Sequence, residues 1–346
     1  SVGVGSKTVA VNNISSSISP TAPGSVLEGT EFALTLGPIS DTGGNNVTQM
    51  IVNWGDGQSD TFGTSFRSEA LHTYINGPAT RTITVDLVDD DGTNTAATLQ
   101  VSVQDVAPTV GFSGATSVDE GSHYTITVGP VFDPGADVIT QLVTHWGDGS
   151  PNLFSQTPGE VTHTYTDGTT NPTITVDVLD DDGLHVTAGS FDLTVNNVAP
   201  SLALAGPAEI DESSLYTLTL GNVVDPGDDT ISAYLIDWND GTNPESIPAA
   251  NLLASREVTH TFANGPATPT IRVDVFDEDG QPHVGAGSHS VTVNDVAPTV
   301  SLSGAESINE GSLYTLTLGD VIDPGTADVV SSYVVNWGDG DSDTFN

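Results

Sequence analysis

The chain of 346 residues has no cysteine, a single methionine and no run of about 18 apolar residues. It is therefore not stapled by disulfides, and nothing in it reads as a membrane-spanning helix. Basic residues are nearly missing too: five Lys and Arg stand against 46 Asp and Glu, a formal charge of −41 at pH 7. Nucleic acid and anionic membranes both require a basic surface, so neither is expected as a partner. The acid excess points instead to divalent cations or a saline environment, with plain solubility as the competing reading. Aromatic residues make up 6% and mostly fall in apolar strand patterns, which argues against a carbohydrate-binding face. No window carries an apolar stripe at helical spacing. Of the 46 acids 34 are Asp, a residue depleted in helices and strands alike, so most of the charge belongs to turns.

What the chain does contain is a repeat. Trp54-Gly55-Asp56-Gly57 returns as Trp146-Gly147-Asp148-Gly149, Trp238-Asn239-Asp240-Gly241 and Trp337-Gly338-Asp339-Gly340, with the tryptophans 92, 92 and 99 residues apart. Val106-Ala107-Pro108, Val198-Ala199-Pro200 and Val296-Ala297-Pro298 keep step, as do Glu28, Glu120, Glu212 and Glu310 and the acidic runs opened by Asp89, Asp180 and Asp277. Whole repeats are read over residues 14–105, 106–197 and 198–295, with the first half of a fourth over 296–346. Residues 1–13 align with the last strand of a preceding repeat. No signal peptide is present, and the chain is expected to continue beyond both ends. A catalytic site is built once, whereas a unit copied end to end makes length, stiffness or multivalent display. No single-copy acid/base constellation and no Gly-x-Ser-x-Gly elbow occurs, so the chain is not expected to be an enzyme. With almost no linker, and with Pro108, Pro200 and Pro298 fixing the local backbone, a rod is expected. Cysteine-free repeats rich in Thr, Asp and Gly fit a secreted surface protein of bacteria or archaea, hence an extracellular location.

Within the second repeat, Tyr124, Ile126 and Val128 alternate with Thr125 and Thr127, and Ile174, Val176 and Val178 with Thr175 and Asp177. Period two predicts half-buried strands. About six or seven short strands per repeat, separated by Gly, Pro and Asp turns, predict an all-β fold, a tandem array of antiparallel β-sandwiches. The repeated Trp closes an apolar strand and is expected to cap the core. His72, His163 and His260 recur before Thr-Tyr or Thr-Phe and read as structural hydrogen-bonding residues.

Trp-Gly-Asp-Gly, then His163-Thr164-Tyr165, then Val176-Asp177-Val178-Leu179-Asp180 with a following Gly, then Asn197-Val198-Ala199-Pro200, together resemble the PKD domain family, an Ig-like β-sandwich. The resemblance covers essentially the whole chain. It implies a structural or adhesive role in a large surface protein, self-associating or continuous with neighbouring repeats of one long chain. The alternative it leaves is an accessory array beside a secreted hydrolase.

In such a sandwich three acidic segments meet at the pole where the preceding repeat enters. In the second repeat these carry Asp105, Asp133 and Asp137, and Asp180-Asp181-Asp182. Carboxylates at such closeness repel, whereas Ca²⁺ takes six to eight oxygens at about 2.3–2.6 Å. Similar PKD domains of collagenases bind calcium through a linker Asn or Asp, acids of the Asp-Pro loop and the first Asp before the later Gly. The resemblance thus implies Asn13, Asp41 and Asp89 in the first repeat, Asp105, Asp133 and Asp180 in the second, Asn197, Asp225 and Asp277 in the third, and Asp295 and Asp323 in the fourth. The second acid of each Asp-Pro loop, Asp137, Asp229 or Asp328, lies further along than in the family, and the first repeat has Asp41-Thr42-Gly43 without Pro or second acid, so these positions stay open. Asp339, Asp341 and Asp343 have the alternate spacing that opens an EF-hand loop but lack its closing Glu. Glu28, Glu120, Glu212 and Glu310 follow the first strand and should lie at the opposite pole, near the next repeat, either bracing the junction or merely favouring a turn.

Overall fold

A computed structural model describes residues 5–44, 46–63, 67–278, 280–326 and 328–346. In the first repeat the period-two pattern becomes seven strands: β1 (Ser25–Leu27), β2 (Glu31–Thr35), β3 (Gln49–Asn53), β4 (Ser59–Phe62), β5 (Glu69–Thr73), β6 (Ala79–Asp89) and β7 (Gly92–Gln104). They form a five-stranded sheet in the order β1-β7-β6-β3-β4 and a β2-β5 pair. Alternate residues turn inward, so Phe32 and Leu34 of β2 meet Met50 and Val52 of β3, Ile83, Val85 and Leu87 of β6 and Val101 and Val103 of β7 in one core. That is a β-sandwich. All its pairings are antiparallel except the first with the last: Ser25, Val26 and Leu27 run parallel to Ser102, Val103 and Gln104. An all-antiparallel sandwich was expected. The exception arises because the chain enters at one end of the sandwich and leaves at the other, so its first and last strands share a direction.

The chain divides into two compact units. The first is Ser1–Ser117, His123–His163 and Asn171–Thr194; the second is Val118–Ser122, Thr164–Thr170 and Val195–Asn346. In the first unit, Gln141–His145 of the second repeat pairs with Leu153–Ser155 and with Thr173–Leu179, which pairs with Leu184–Asp192. In the second unit the third repeat has a three-stranded and a four-stranded sheet, a core of Tyr216, Leu218, Tyr234, Ile236, Trp238, Ile271 and their neighbours, and the same parallel pair, Glu209–Asp211 with Thr292–Asn294. The longer loop between Trp238 and His260 holds Glu245–Pro248 and a short 3-10 turn, Ala249–Asn251.

Trp54, Trp146 and Trp238 are buried, as the core reading of the motif requires. Each stacks on the recurrent histidine, at 4.7 Å and 6° for His72, 4.6 Å and 12° for His163 and 4.5 Å and 8° for His260. Both ends of these 346 residues depart from this packing. Trp337 is 39% exposed, because the strands that cover its counterparts have no equivalent within these 346 residues. Residues 5–13, read as a final strand, form none, leaving Val9 70% and Val11 92% exposed; a strand needs a neighbouring ladder, and none pairs with it. Residues 1–4 lie outside the described residues.

Candidate metal centres at the repeat junctions

Each junction is built on the glutamate that follows the short strand paired with the last strand of its repeat. Glu28 continues the parallel ladder with its own N–H donated to the Gln104 carbonyl (3.0 Å). Its side chain is buried, with Oε2 accepting from Gly77 N (2.6 Å) and Oε1 from Val106 N (2.9 Å), the first residue of the linker motif. The next repeat docks onto this turn through its Asp-Pro loop. Ala136 N donates to the Ile75 carbonyl (2.7 Å), and a Cβ at Gly135 would lie 2.7–2.9 Å from the Glu28 carboxyl atoms. Only glycine leaves room for that carboxyl. Gly29, at φ 66°, sits so close that a Cβ would lie 2.3 Å from the Pro134 carbonyl oxygen, and its conformation alone favours glycine.

The other junctions, both inside the second unit, repeat this construction. Glu120 Oε1 accepts from Val198 N (2.6 Å), Asp228 N donates to the Thr166 carbonyl (2.8 Å), and a Cβ at Gly227 would lie 2.8 Å from the Glu120 carboxyl carbon. Glu212 accepts from Gly265 N (2.6 Å) and Val296 N (2.9 Å), Thr326 N donates to the Ala263 carbonyl (3.1 Å), and a Cβ at Gly325 would lie 2.9 Å from Glu212 Oε2. Ser213 stands where the other repeats have Gly29 and Gly121, and its hydroxyl donates to the Pro324 carbonyl.

This docking gathers acids. Glu28, Asp105, Asp137 and Asp182 bring one oxygen each to within 4.8 Å of one another, and Asp133, Asp137 and Asp180 do the same, with Asp137 common to both. Glu120, Asp225 and Asp229 form the corresponding group at the next junction, and Glu212, Asp295 and Asp328 at the third. Asp105 Oδ1, Asp133 Oδ2, Asp137 Oδ2, Asp225 Oδ2 and Asp229 Oδ2 are shielded from solvent without a hydrogen-bond partner. Burial, reinforced by Glu28, Asp133, Asp182 and Asp180, pushes Asp137 up to about 7. Burial, then Glu120, Asp225, Glu278 and Asp277, does the same to Asp229. Burial also raises Asp105, against the opposing pull of His185 and with Glu28 and Asp182 adding to it. These are oxygens placed as ligands are placed, in a donor set of carboxylates alone, which suits a hard cation such as Ca²⁺ over zinc or copper.

Other residues implied by the resemblance lie beside these groups. Asp180 Oδ1 accepts from Asp182 N (3.0 Å) and Gly183 N (2.9 Å), while Oδ2 faces His185 Nε2 at 2.8 Å. Asp277 faces His283 in the same way and stands outside the three-acid group of its junction. Asn197 lies on the linker against Gly168. Asp323 turns its Oδ1 to Gly325 N (3.1 Å) and is not in the third group. In the first repeat Ser16 is buried between Asp41 (3.2 Å) and Asp89 (3.1 Å), and Asn13 Oδ1 would lie 3.7 Å from a Cβ at Gly43. There a hydroxyl takes the centre, and no three-acid group forms among the described residues.

The Trp turns spend their acids on structure. Asp56 accepts from Gln58 N and contacts His72 (2.7 Å), Asp148 contacts His163 and Asp240 contacts His260 (both 2.6 Å). Burial alone would raise Asp56, but the Gln58 and His72 contacts outweigh it and hold the carboxyl below its usual value. Asp339 Oδ1 accepts from Asp341 N (3.0 Å) and Asp343 Oδ2 from Trp337 Nε1 (2.9 Å), so the alternation resembling an EF-hand is a turn whose carboxylates cap local donors.

The main omission of the sequence reading is Glu28, Glu120 and Glu212, placed near the next repeat but not proposed as ligands. Their strict recurrence was the available signal.

No known protein family matches the sequence, and no curated protein matches it. Similar solved structures are other multi-domain chains. A three-domain segment of titin is 10% identical and covers 81% of this chain and 99% of its own, with a TM-score of 0.31. The FN1–FN3 domains of chicken CNTN1 are 12% identical, covering 80% and 100%, with a TM-score of 0.24. Three N-terminal domains of the highly immunogenic outer capsid protein of bacteriophage RB49 are 11% identical, covering 82% and 99%, with a TM-score of 0.29. Strand order and core define the fold of this chain independently of these likenesses. Among the described residues no helix is long and apolar enough to cross a membrane.

Proposed function

We propose that this chain is a segment of an extracellular structural protein, a stalk, filament or sheath built from PKD-type sandwiches and stiffened by Ca²⁺ at the repeat junctions. The observation that carries the reading is the recurrence of one device: at three successive junctions a linker pinned by a buried glutamate meets an Asp-Pro loop and brings carboxylates together, with oxygens shielded from solvent at the first two. Acid serving only solubility has no reason to converge inside a junction, where it repels. A cation turns that repulsion into attraction and fixes the angle between neighbours. Linker and Asp-Pro acids would hold the ion, supplying charge and oxygen donors, while the protein's backbone contacts set the spacing. The role is stiffness and spacing, with no reaction to perform.

Melting temperature and the scattering-derived length of the chain, measured with calcium and with chelator at fixed ionic strength, test the reading. Bound cation should add RT ln(1 + [L]/Kd), about 2.7 kcal/mol at a hundredfold excess over Kd. If neither quantity moves, the acid is an adaptation to salt and the calcium reading falls.

A further inference from the structure

The glutamate turn and the acid group belong to different repeats. Glu120 is 0% exposed and directly follows the strand Ser117–Asp119 of the second repeat, whereas Asp225 and Asp229 belong to the Asp-Pro loop of the third. Its Oε1 is taken by Val198 N. Its Oε2 is shielded from solvent beside the Gly168 amide, which helps to hold the carboxyl down against burial, but no well-aligned hydrogen bond reaches it. Asp225 Oδ2 and Asp229 Oδ2 are likewise shielded and without donors, and one oxygen from each of the three acids lies within 4.8 Å of the others. The space between Glu120 and Asp229 is kept open by Gly227, whose added Cβ would lie 2.9 Å from Glu120 Oε2 and 3.2 Å from Asp229 Oδ1. A hydrogen-bonded latch accounts for one oxygen of this carboxylate. It does not account for the other, which is buried against two further carboxylates at a cost that a bound cation offsets once all three are ionised.

We propose that Glu120 is a ligand of the same divalent cation as Asp225 and Asp229, so that the ion bridges two consecutive repeats instead of residing in one. Glu28 and Glu212 are assigned the same role at their junctions. Both of their oxygens accept a backbone N–H, and a carboxylate oxygen keeps a second lone pair for a metal. The site is then complete only when two repeats are docked, and binding and docking are one event. The inference rests on the calcium reading above and deepens it.

The test is Glu120→Gln in the full chain, with Ca²⁺ binding measured by equilibrium dialysis and melting followed in calcium and in chelator. Glutamine keeps one oxygen for Val198 N but loses the charge. The expected result is one ion fewer per chain, or an affinity at that junction about tenfold or more weaker. In chelator the variant should melt at or above the wild-type temperature, because one of three like charges has gone; in calcium it should melt below it. The double variant E120Q/D229N should lose the same single ion as either substitution alone. If E120Q does not fold, Glu212→Gln reads the same outcomes at the third junction. Unchanged binding, an equal drop in melting temperature with and without calcium, or two ions lost by the double variant would each overturn the assignment and leave Glu120 a latch. A wild-type chain that binds no calcium overturns the junction-calcium reading itself, and this inference with it.

Discussion

Without a cation, the junction acids should make the chain less stable as pH rises, the opposite of what ordinary paired aspartates do. Asp137 and Asp229 have a usual value of 3.8 and are pushed up to about 7 by burial and by their acidic neighbours. A carboxyl whose value is raised on folding stabilises the folded state fully below 3.8, where it is protonated in both states, and loses that contribution as pH climbs through 7. A shift of about 3 pH units corresponds to ~4 kcal/mol at about 1.4 kcal/mol per unit. Both side chains are partly exposed, and solvent screening reduces this to about 1–2 kcal/mol each. The two residues fall in different compact units, so each unit should lose about 2–8 °C of melting temperature between pH 4 and pH 8. Calorimetry in chelator across that range measures it. Excess calcium should abolish the fall, since the ion stabilises the ionised forms, and D137N/D229N should flatten it with no metal present. The turn acids Asp56, Asp148 and Asp240 are held below their usual value, so their contribution is lost only as pH falls below about 4, outside this window. A melting temperature in chelator that is level or rising from pH 4 to pH 8 would refute the reasoning.

Two further substitutions separate core from junction. Trp238→Ala truncates a buried side chain in the core of the third repeat and should cost about 3–5 kcal/mol in chelator and calcium alike, read by denaturant titration. Gly227→Ala would place a Cβ 2.8–2.9 Å from the Glu120 carboxyl; it should weaken calcium binding at that junction in dialysis while leaving the cores folded by near-ultraviolet circular dichroism.

The sandwich was legible because its signals are local. Alternating Tyr124, Ile126 and Val128 state their own periodicity, and the Trp-Gly-Asp-Gly turn states where a strand ends. The stacking of Trp54 on His72 was half legible: recurrence marked the histidine as structural, but its Asp56 partner lies across the turn. The approach of Asp133 to Asp180 followed from topology, since loops at one pole of a sandwich are neighbours whatever their sequence separation, whereas Asp105 falls in the adjoining group, which shares Asp137. What could not be read was which oxygens finally face one another. Asp137 sits further along its loop than the family pattern allows, yet Asn76 of the preceding repeat contacts it at 3.3 Å and the docking brings it into both acid groups. Asp180 and Asp277 were assigned to metal without their histidines, His185 and His283, whose approach depends on how the strand turns after Gly183 and on the loop before His283. The glutamates were legible as recurrent positions and not as ligands, because each faces an Asp-Pro loop acid, Asp137, Asp229 or Asp328, that belongs to the next repeat.

The parallel pairing of first and last strands bears on how such a chain would carry load. Tension along the polypeptide pulls the Ser25–Leu27 strand toward its N-terminal side and the Ser102–Gln104 strand toward its C-terminal side, so the two slide past each other along their length. Every hydrogen bond of the ladder is then strained together, and none can open before its neighbours as in a zipper. The Glu28 carboxylate, clasping Val106 N just beyond the ladder, stands where that force would leave one sandwich for the next. The residue that orders the junction is also the last fastening of the strand pair behind it.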